Sequence, residues 1–300
     1  MKCITIGHAS YDITYSVQEY PKENTKKRVY EQVECGGGPA ANAACVLAKW
    51  KEEVAFSGVV GDDYYASKMK KEFQDFGIDL SYLEEQKNLK TMLSFIIANK
   101  GNGSRTILTY HDPNKKSLTV RNNNQYDIIL VDGEELEASK EVLLNNSRAI
   151  KILDAGSVKE GTLGLAGLVD YLVCSKNFAE ETTGITYTGK KEELIEMHDR
   201  LQEKYQNQVV ITLESNGCFT KIEEKYCLIP SIKVKAIDST GAGDIFHGAF
   251  AYFISHKYGL KRSCYLANIA GALSVTTLGG RISIPKLEDV LEREQEIELL

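Results

Sequence analysis

Asp238-Ser239-Thr240-Gly241-Ala242-Gly243-Asp244 leads directly into Ile245-Phe246-His247-Gly248-Ala249-Phe250-Ala251-Tyr252-Phe253-Ile254. The second run has the apolar character of a buried helix, so the first sets three residues with almost no side chain at a helix start. The first amides of a helix lack partners inside it and the peptide dipoles sum to a positive end there, so an anion can approach them closely. Asp244 adds a carboxylate that can orient a hydroxyl and take its proton. Phosphoryl transfer asks little of such a base, because it leans on positioning and electrostatics. The same residues also suit a plain cap, with Ser239 or Thr240 at the N-cap and the glycines fitting a tight turn.

Upstream, short apolar runs alternate with amphipathic ones. Gln208-Val209-Val210-Ile211-Thr212-Leu213 reads as a buried strand ending before Ser215-Asn216-Gly217, and Cys218 to Ile222 with Lys225 to Ile229 reads as a hairpin. Strands are also expected at the N-terminus and over Val54 to Val60, Asp127 to Val131, Ile150 to Leu153 and Tyr171 to Cys174. Helices are expected over Ala40 to Trp50, Tyr65 to Phe76, Glu134 to Asn145, Lys191 to Tyr205, Ile245 to Ser255 and Cys264 to Val275, with a short one starting near Asn177. Continuous apolar strands divided by amphipathic helices predict a mainly parallel sheet covered on both faces.

Four further runs alternate tyrosines and valines with polar groups: Tyr11 to Val17, Arg28 to Val33, Met92 to Ala98 and Thr106 to Tyr110. They predict a small inserted sheet, wet on one face, that serves as a lid, since ligands of α/β proteins gather at the carboxyl ends of the strands. The expected division is a main α/β body over 1–10, 35–90 and 112–300, and a discontinuous β-sheet lid over 11–34 and 91–111. The segment from Asn99 to Asn124, rich in asparagine and glycine, leaves the local shape of the lid open.

Composition narrows the function classes. The 300 residues are 43% hydrophobic and 26% charged, the balance of a folded globular protein. A net charge of -6 gives no general attraction to nucleic acid or anionic lipid, so neither is an expected partner, and a phosphorylated ligand must be held by local donors or metal. Seven dispersed cysteines without a C-x-x-C pair fit reduced packing residues, and with no secretory apolar run at the start the expected location is the cytoplasm.

A second glycine cluster, Cys35-Gly36-Gly37-Gly38-Pro39-Ala40-Ala41-Asn42-Ala43-Ala44, lets a ligand touch the backbone, and Asn42 offers donor and acceptor from a new helix. Hydroxyl recognition suits that equipment, and so does a plain structural turn. The dinucleotide fingerprint and the G-x-x-x-x-G-K-[ST] phosphate loop are both absent.

Gly37-Gly38-Pro39-Ala40-Ala41-Asn42, continuing through Val54 to Asp63, resembles the N-terminal signature of the ribokinase-like, or PfkB, family of ATP-dependent carbohydrate and nucleoside kinases; Asp238 through Ala249 resembles its C-terminal signature. The likeness in order and spacing extends to Gly280. It implies an α/β, ribokinase-like three-layer sandwich with a predominantly parallel central sheet and a small β-sheet lid. It implies an ATP-dependent sugar kinase that transfers the γ-phosphoryl group to a carbohydrate hydroxyl, a primary alcohol by expectation.

Residue by residue, the resemblance assigns Asp244 as catalytic base and Gly241, Ala242 and Gly243 as the anion hole. Asp12, Gly38 and Asn42 match acceptor contacts, and Arg105 matches a segment of the ketohexokinase-like branch whose arginine could neutralise a phosphate. Asn177 and Glu180 match the N-x-x-E element that organises Mg2+ and phosphate through water. Their spacing of three puts both oxygens on one helix face, which also suits a hard cation on chemical grounds, although a surface helix cap would explain the pair as well. Thr212, Glu214, Gly217 and Asn268 match the nucleotide side. Asp238 and Thr277-Leu278-Gly279-Gly280 match a region where some members hold a monovalent cation, so K+ joins ATP and Mg2+ as an expected cofactor. His247 suits either an approach to the nucleotide or helix packing. The sequence departs from the family at Lys51, where a small residue is common, and at Ser239, where threonine is common.

A purine nucleoside kinase is the alternative reading, with Tyr11, Tyr15 and Tyr110 as candidate aromatic contacts, and a noncatalytic sugar sensor is a further one. A homodimer joined through the two lid sheets is the expected assembly, since exposed sheet edges and faces favour pairing.

Overall fold

Apolar strands side by side make the frame. In the computed structural model, which describes residues 1–119, 122 and 124–294, a nine-stranded sheet holds β1 (Lys2–Ile6), β4 (Glu53–Gly61), β5 (Asp79–Gln86), β8 (Ile128–Val131), β9 (Ile150–Ala155), β10 (Tyr171–Ser175), β11 (Gln208–Thr212), β12 (Cys218–Ile222) and β13 (Lys225–Ile229). Its order is β13-β12-β11-β10-β9-β8-β1-β4-β5. The seven strands from β11 to β5 run parallel, and β12 and β13 add an antiparallel edge. Residues such as Ile4, Ile129, Leu153 and Val173 are fully buried, which requires cover on both faces.

Helices supply that cover. On one face lie α1 (Pro39–Lys49), α2 (Tyr64–Asp75), α7 (Ala242–Ser255), α8 (Leu260–Ser274) and α9 (Leu287–Glu294). On the other lie α3 (Leu136–Asn145), α4 (Glu160–Leu165), α5 (Lys176–Thr183) and α6 (Lys191–Tyr205). The result is the three-layer sandwich that the alternation predicts.

Small residues control how closely α1 and α7 approach. Ala40, Ala41, Ala43 and Ala44 are all buried, and a Cβ on Gly248 would lie 2.8 Å from Val46 Cβ and 3.1 Å from Ala43 Cα. This tight crossing sets the N-terminal turns of the two helices side by side. Trp50 caps α1, after which Lys51 takes a φ of 71°, the left-handed conformation that makes a small residue the easier choice there.

The inserted strands form a separate four-stranded sheet, order β3-β2-β6-β7, from β2 (Ser10–Val17), β3 (Gln32–Gly37), β6 (Leu93–Asn99) and β7 (Ser104–Tyr110). Strand β3 differs from its expected place at Arg28 to Val33. It begins at Gln32 and carries Cys35, Gly36 and Gly37 as strand residues, past the expected body boundary at 35, because they pair with Asp12, Tyr11 and Ser10. Strand β5 and helix α4 add to the expected elements: β5 is a charged edge strand with weak alternation, and α4 is short and holds two glycines. Within the expected body, residues 120, 121, 123 and 295–300 lie outside the described residues. No helix among the described residues is long and apolar enough to cross a membrane.

Candidate functional site

The strand register lines up a row of groups at the carboxyl edge of the sheet. Ile6 pairs with Val131, Val131 with Leu153 and Ser175 with Thr212, so Gly7, Asp132, Asp154, Ser175 and Thr212 lie along one rim. Helices α1 and α7 both start above it. Asp132 accepts hydrogen bonds from the amides of His8 at 2.8 Å and Ala40 at 3.1 Å, which ties the first turn of α1 to the ends of β1 and β8.

Helix α7 begins at Ala242, earlier than the expected start at Ile245, and its N-cap is Gly241 rather than Ser239 or Thr240. Gly241 has a φ of 74°, which favours glycine, and no side chain caps the helix. The turn therefore offers main-chain amides without a competing side-chain oxygen. Gly243 is exposed, and a Cβ there would meet nothing within 4 Å, so the space in front of the turn is open. Asp238 braces the loop from below. One carboxylate oxygen accepts from Thr240 N at 2.9 Å and Thr240 Oγ1 at 2.6 Å, and the other from Gly279 N at 2.9 Å.

Asn42 and Asp244 meet across the two helix starts. Asn42 Nδ2 donates to Asp244 Oδ2 at 2.7 Å, and Asn42 is itself buried. Gly38 caps α1 with a φ of 98°, and a Cβ there would sit 2.3 Å from His8 O. Asp12 reaches in from the lid and accepts from Ser10 Oγ at 3.0 Å. Burial pushes its carboxyl up to about 6, against hydrogen bonds from Ser10 and Ser94 and the charge of Arg281. Gly37 leaves room for it, since a Cβ there would lie 2.1 Å from Asp12 Oδ2. Arg105, on the same lid face, donates from Nη1 to Ser239 Oγ at 2.8 Å and so joins the lid to the loop before α7.

The remaining candidates divide between open and engaged groups. Asn177 is exposed in the first turn of α5, and Glu180 is partly buried with Oε1 accepting from Tyr187 N at 2.7 Å. Thr212 donates to Cys174 O at 3.2 Å, at the rim between β10 and β11. Glu214 and Gly217 both have positive φ, 54° and 89°, in the turn after β11. Asn268 is buried and donates to Ile229 O at 3.0 Å and Pro230 O at 3.3 Å, so in this structure it fastens the end of β13 to α8. His247 is also buried. Its ring nitrogens face Gly243 O at 2.6 Å and Val173 O at 3.1 Å, with Asp154 Oδ2 at 3.1 Å from Nδ1, which is the packing role.

The structure adds residues that the sequence did not single out. Asp132 follows β8 and Asp154 is the penultimate residue of β9, each after an apolar run, a position that could have marked them. Arg281, 2% exposed, contacts Asn42, Glu72 and the main chain of Gly37, and nothing local in the sequence identifies it.

Known proteins share this chain's sequence pattern and fold. The family described as pfkB family carbohydrate kinase matches residues 1–287. The chain belongs to the PfkB family. It is 28% identical to the ribokinase of Staphylococcus aureus, with 96% of this chain and 98% of the relative covered. A nucleoside kinase of Methanocaldococcus jannaschii is 24% identical, with 97% and 96% covered. The crystal structure of a ribokinase-like protein from Agrobacterium tumefaciens superposes with a TM-score of 0.88 at 27% identity, covering 99% of this chain and 98% of that one. As a PfkB member the chain is an ATP-dependent kinase of a sugar or a nucleoside.

The two roles open to Asn268 separate in ligand-free protein. Asn268→Ala leaves the buried Ile229 carbonyl without its donor, a loss of about 1–3 kcal/mol, and is expected to lower Tm by several degrees in thermal denaturation. An unchanged Tm with weakened nucleotide binding would contradict the fastening role.

Proposed function

We propose that this PfkB member transfers the γ-phosphoryl group of ATP to a hydroxyl of a sugar, a primary alcohol, with Asp244 as general base. One observation carries the reading: Asp244 stands beside the uncapped first turn of α7 and is oriented by Asn42, opposite the buried Asp12 of the lid. Asp12, Gly38 and Asn42 hold the acceptor so that one hydroxyl faces Asp244, which takes its proton as the oxygen attacks the γ-phosphorus. The main-chain amides of Gly241, Ala242 and Gly243 face the negative charge on the transferring group. Arg105 adds a cation from the lid, whose closure excludes water.

On the nucleotide side we assign Thr212, Glu214 and Gly217 to the border of the ATP site, with Asn268 behind them. Mg2+ fits Asn177 and the second carboxylate oxygen of Glu180 as hard oxygen donors, through water, and when bound supplies charge neutralisation for the phosphates. We assign K+ to the loops of Asp238 and Thr277 to Gly280, which the Gly279 N to Asp238 hydrogen bond joins. We assign 11–34 and 91–111 to the lid and the rest to the body, with β2 and β3 crossing that boundary at Ser10 and at Cys35 to Gly37. The lid's outward face carries Phe95, Leu108 and Tyr110, all exposed, and supports a homodimer through that face. The cytoplasm is the assigned location, on the free cysteines.

A specific observation weighs against the nucleoside alternative as the sequence framed it. Tyr11 pairs with Leu93 and Leu93 with Tyr110, which puts both tyrosines, and Tyr15, on the lid face opposite Asp12. They offer no stacking surface to a base held by Asp12.

An ATP-consumption assay over pentoses, hexoses and nucleosides identifies the acceptor; turnover with nucleosides alone would overturn the sugar reading. Asp244→Asn is expected to keep its fold and ATP binding while turnover falls at least ~100-fold, and near-normal turnover would remove Asp244 as base. The acceptor's kcat/KM is expected to fall below about pH 6, losing about tenfold by pH 5, as Asp12 gains a proton and accepts fewer hydroxyl bonds. Asp12→Asn should flatten that acidic limb. A limb that persists unchanged would assign it elsewhere, Asp154 being another carboxyl raised by burial.

A further inference from the structure

Behind Asn42 lies an ion pair, a buried Arg281 with a partly exposed Glu72, that the mechanism above does not use. Arg281 Nε donates to Asn42 Oδ1 at 3.3 Å, Nη1 to Glu72 Oε2 at 3.0 Å and Nη2 to Gly37 O at 3.3 Å, and its guanidinium lies over the Phe73 ring at 4.9 Å. Glu72 Oε2 also accepts from Gly36 N at 2.8 Å. The pair therefore grips the end of lid strand β3 from both sides. A Cβ on Gly36 would lie 1.8 Å from Arg281 Nη1, so the guanidinium fills the space that this glycine leaves.

The chemistry of the chain has one direction. A carboxamide has a donor end and an acceptor end of nearly the same shape, and only its partners decide which way it points. A guanidinium offers only donors and an ionised carboxylate only acceptors. With Arg281 at Oδ1 and Asp244 at Nδ2, the Asn42 amide has a single satisfied orientation. Without the guanidinium Oδ1 would be buried against no donor, at a cost that a rotated amide or a shifted helix start would relieve.

We infer that Arg281 is a positioning residue: it fixes the Asn42 amide so that Asn42 donates to Asp244, and through Glu72 and Gly37 it links that orientation to the position of the lid strand. The inference rests on the reading of Asp244 as base only for its effect on rate; the orientation itself stands apart from it. Lid movement at Gly36 and Gly37 would then be felt at Asp244 through two side chains. Such coupling would align the base when the lid is in place.

The test combines an activity-free readout with kinetics. In 15N-labelled protein, hydrogen exchange of the Asn42 side-chain amide, assigned with Asn42→Ala, is expected to be at least tenfold faster in Arg281→Met than in wild type. Glu72→Gln removes the partly exposed partner and is the second variant should Arg281→Met fail to fold; it is expected to speed the same exchange severalfold. With Mg2+ and ATP and only water as acceptor, kcat is expected to fall at least tenfold in Arg281→Met while KM for ATP stays within twofold. Arg281→Lys keeps charge but lacks the fork, and is expected to recover only part of the rate. Asn42 exchange as slow as in wild type in the folded variants overturns the inference. Should Asp244→Asn retain turnover while Asn42 exchange still depends on Arg281, the positioning stands and the base assignment alone falls.

Discussion

A 2.7 Å hydrogen bond from Asn42 to Asp244 joins two helix starts that are more than two hundred residues apart in the chain. It exists because α1 and α7 cross closely, and they cross closely because one contributes a row of alanines and the other Gly248. Larger residues there would separate the helix ends, and the bond would lengthen with them. Packing of small side chains thus sets a distance that the chemistry requires. The same crossing points two positive helix ends at one hollow, which favours an anion there more than either end alone.

Charge around that hollow is braced by short, mostly buried contacts. Asp132 holds the first turn of α1, Asp238 holds the loop before α7, and Asp154 lies against His247 beneath Gly243. Each carboxylate that is not offered to a ligand is bonded to main chain or lies against a histidine ring, as burial demands. Asp12 is the exception in kind: burial raises its pKa further than its partners, two serine hydroxyls and a distant guanidinium, lower it. Such a group gains most from hydroxyls brought by an acceptor.

The sequence showed the frame because burial on both faces of a parallel sheet writes itself as unbroken apolar runs; α6, β12 and β13 fall where the pattern puts them. Edge elements were harder to read. Strand β5 is charged and half solvated, and the glycines of β3 read as a loop until their pairing with β2 is seen. In the candidate site, the fold puts Asn42 on Asp244 and sets Asp12 within the field of that carboxylate. Asn268 and His247 each bond to main-chain carbonyls of a neighbouring strand end or strand, partners that the sequence alone does not show. Arg281 was illegible because its meaning comes from partners at positions 37, 42 and 72, which only the fold brings near.

The most direct measurement is a crystal structure of the closed protein with a non-hydrolysable ATP analogue, Mg2+ and the acceptor found by screening. The account predicts the attacking hydroxyl within about 3 Å of an Asp244 carboxylate oxygen, in line with the γ-phosphorus, and the phosphate facing the amides of residues 241 to 243. An acceptor seated away from Asp244, or a γ-phosphate held elsewhere than at the start of α7, would contradict it.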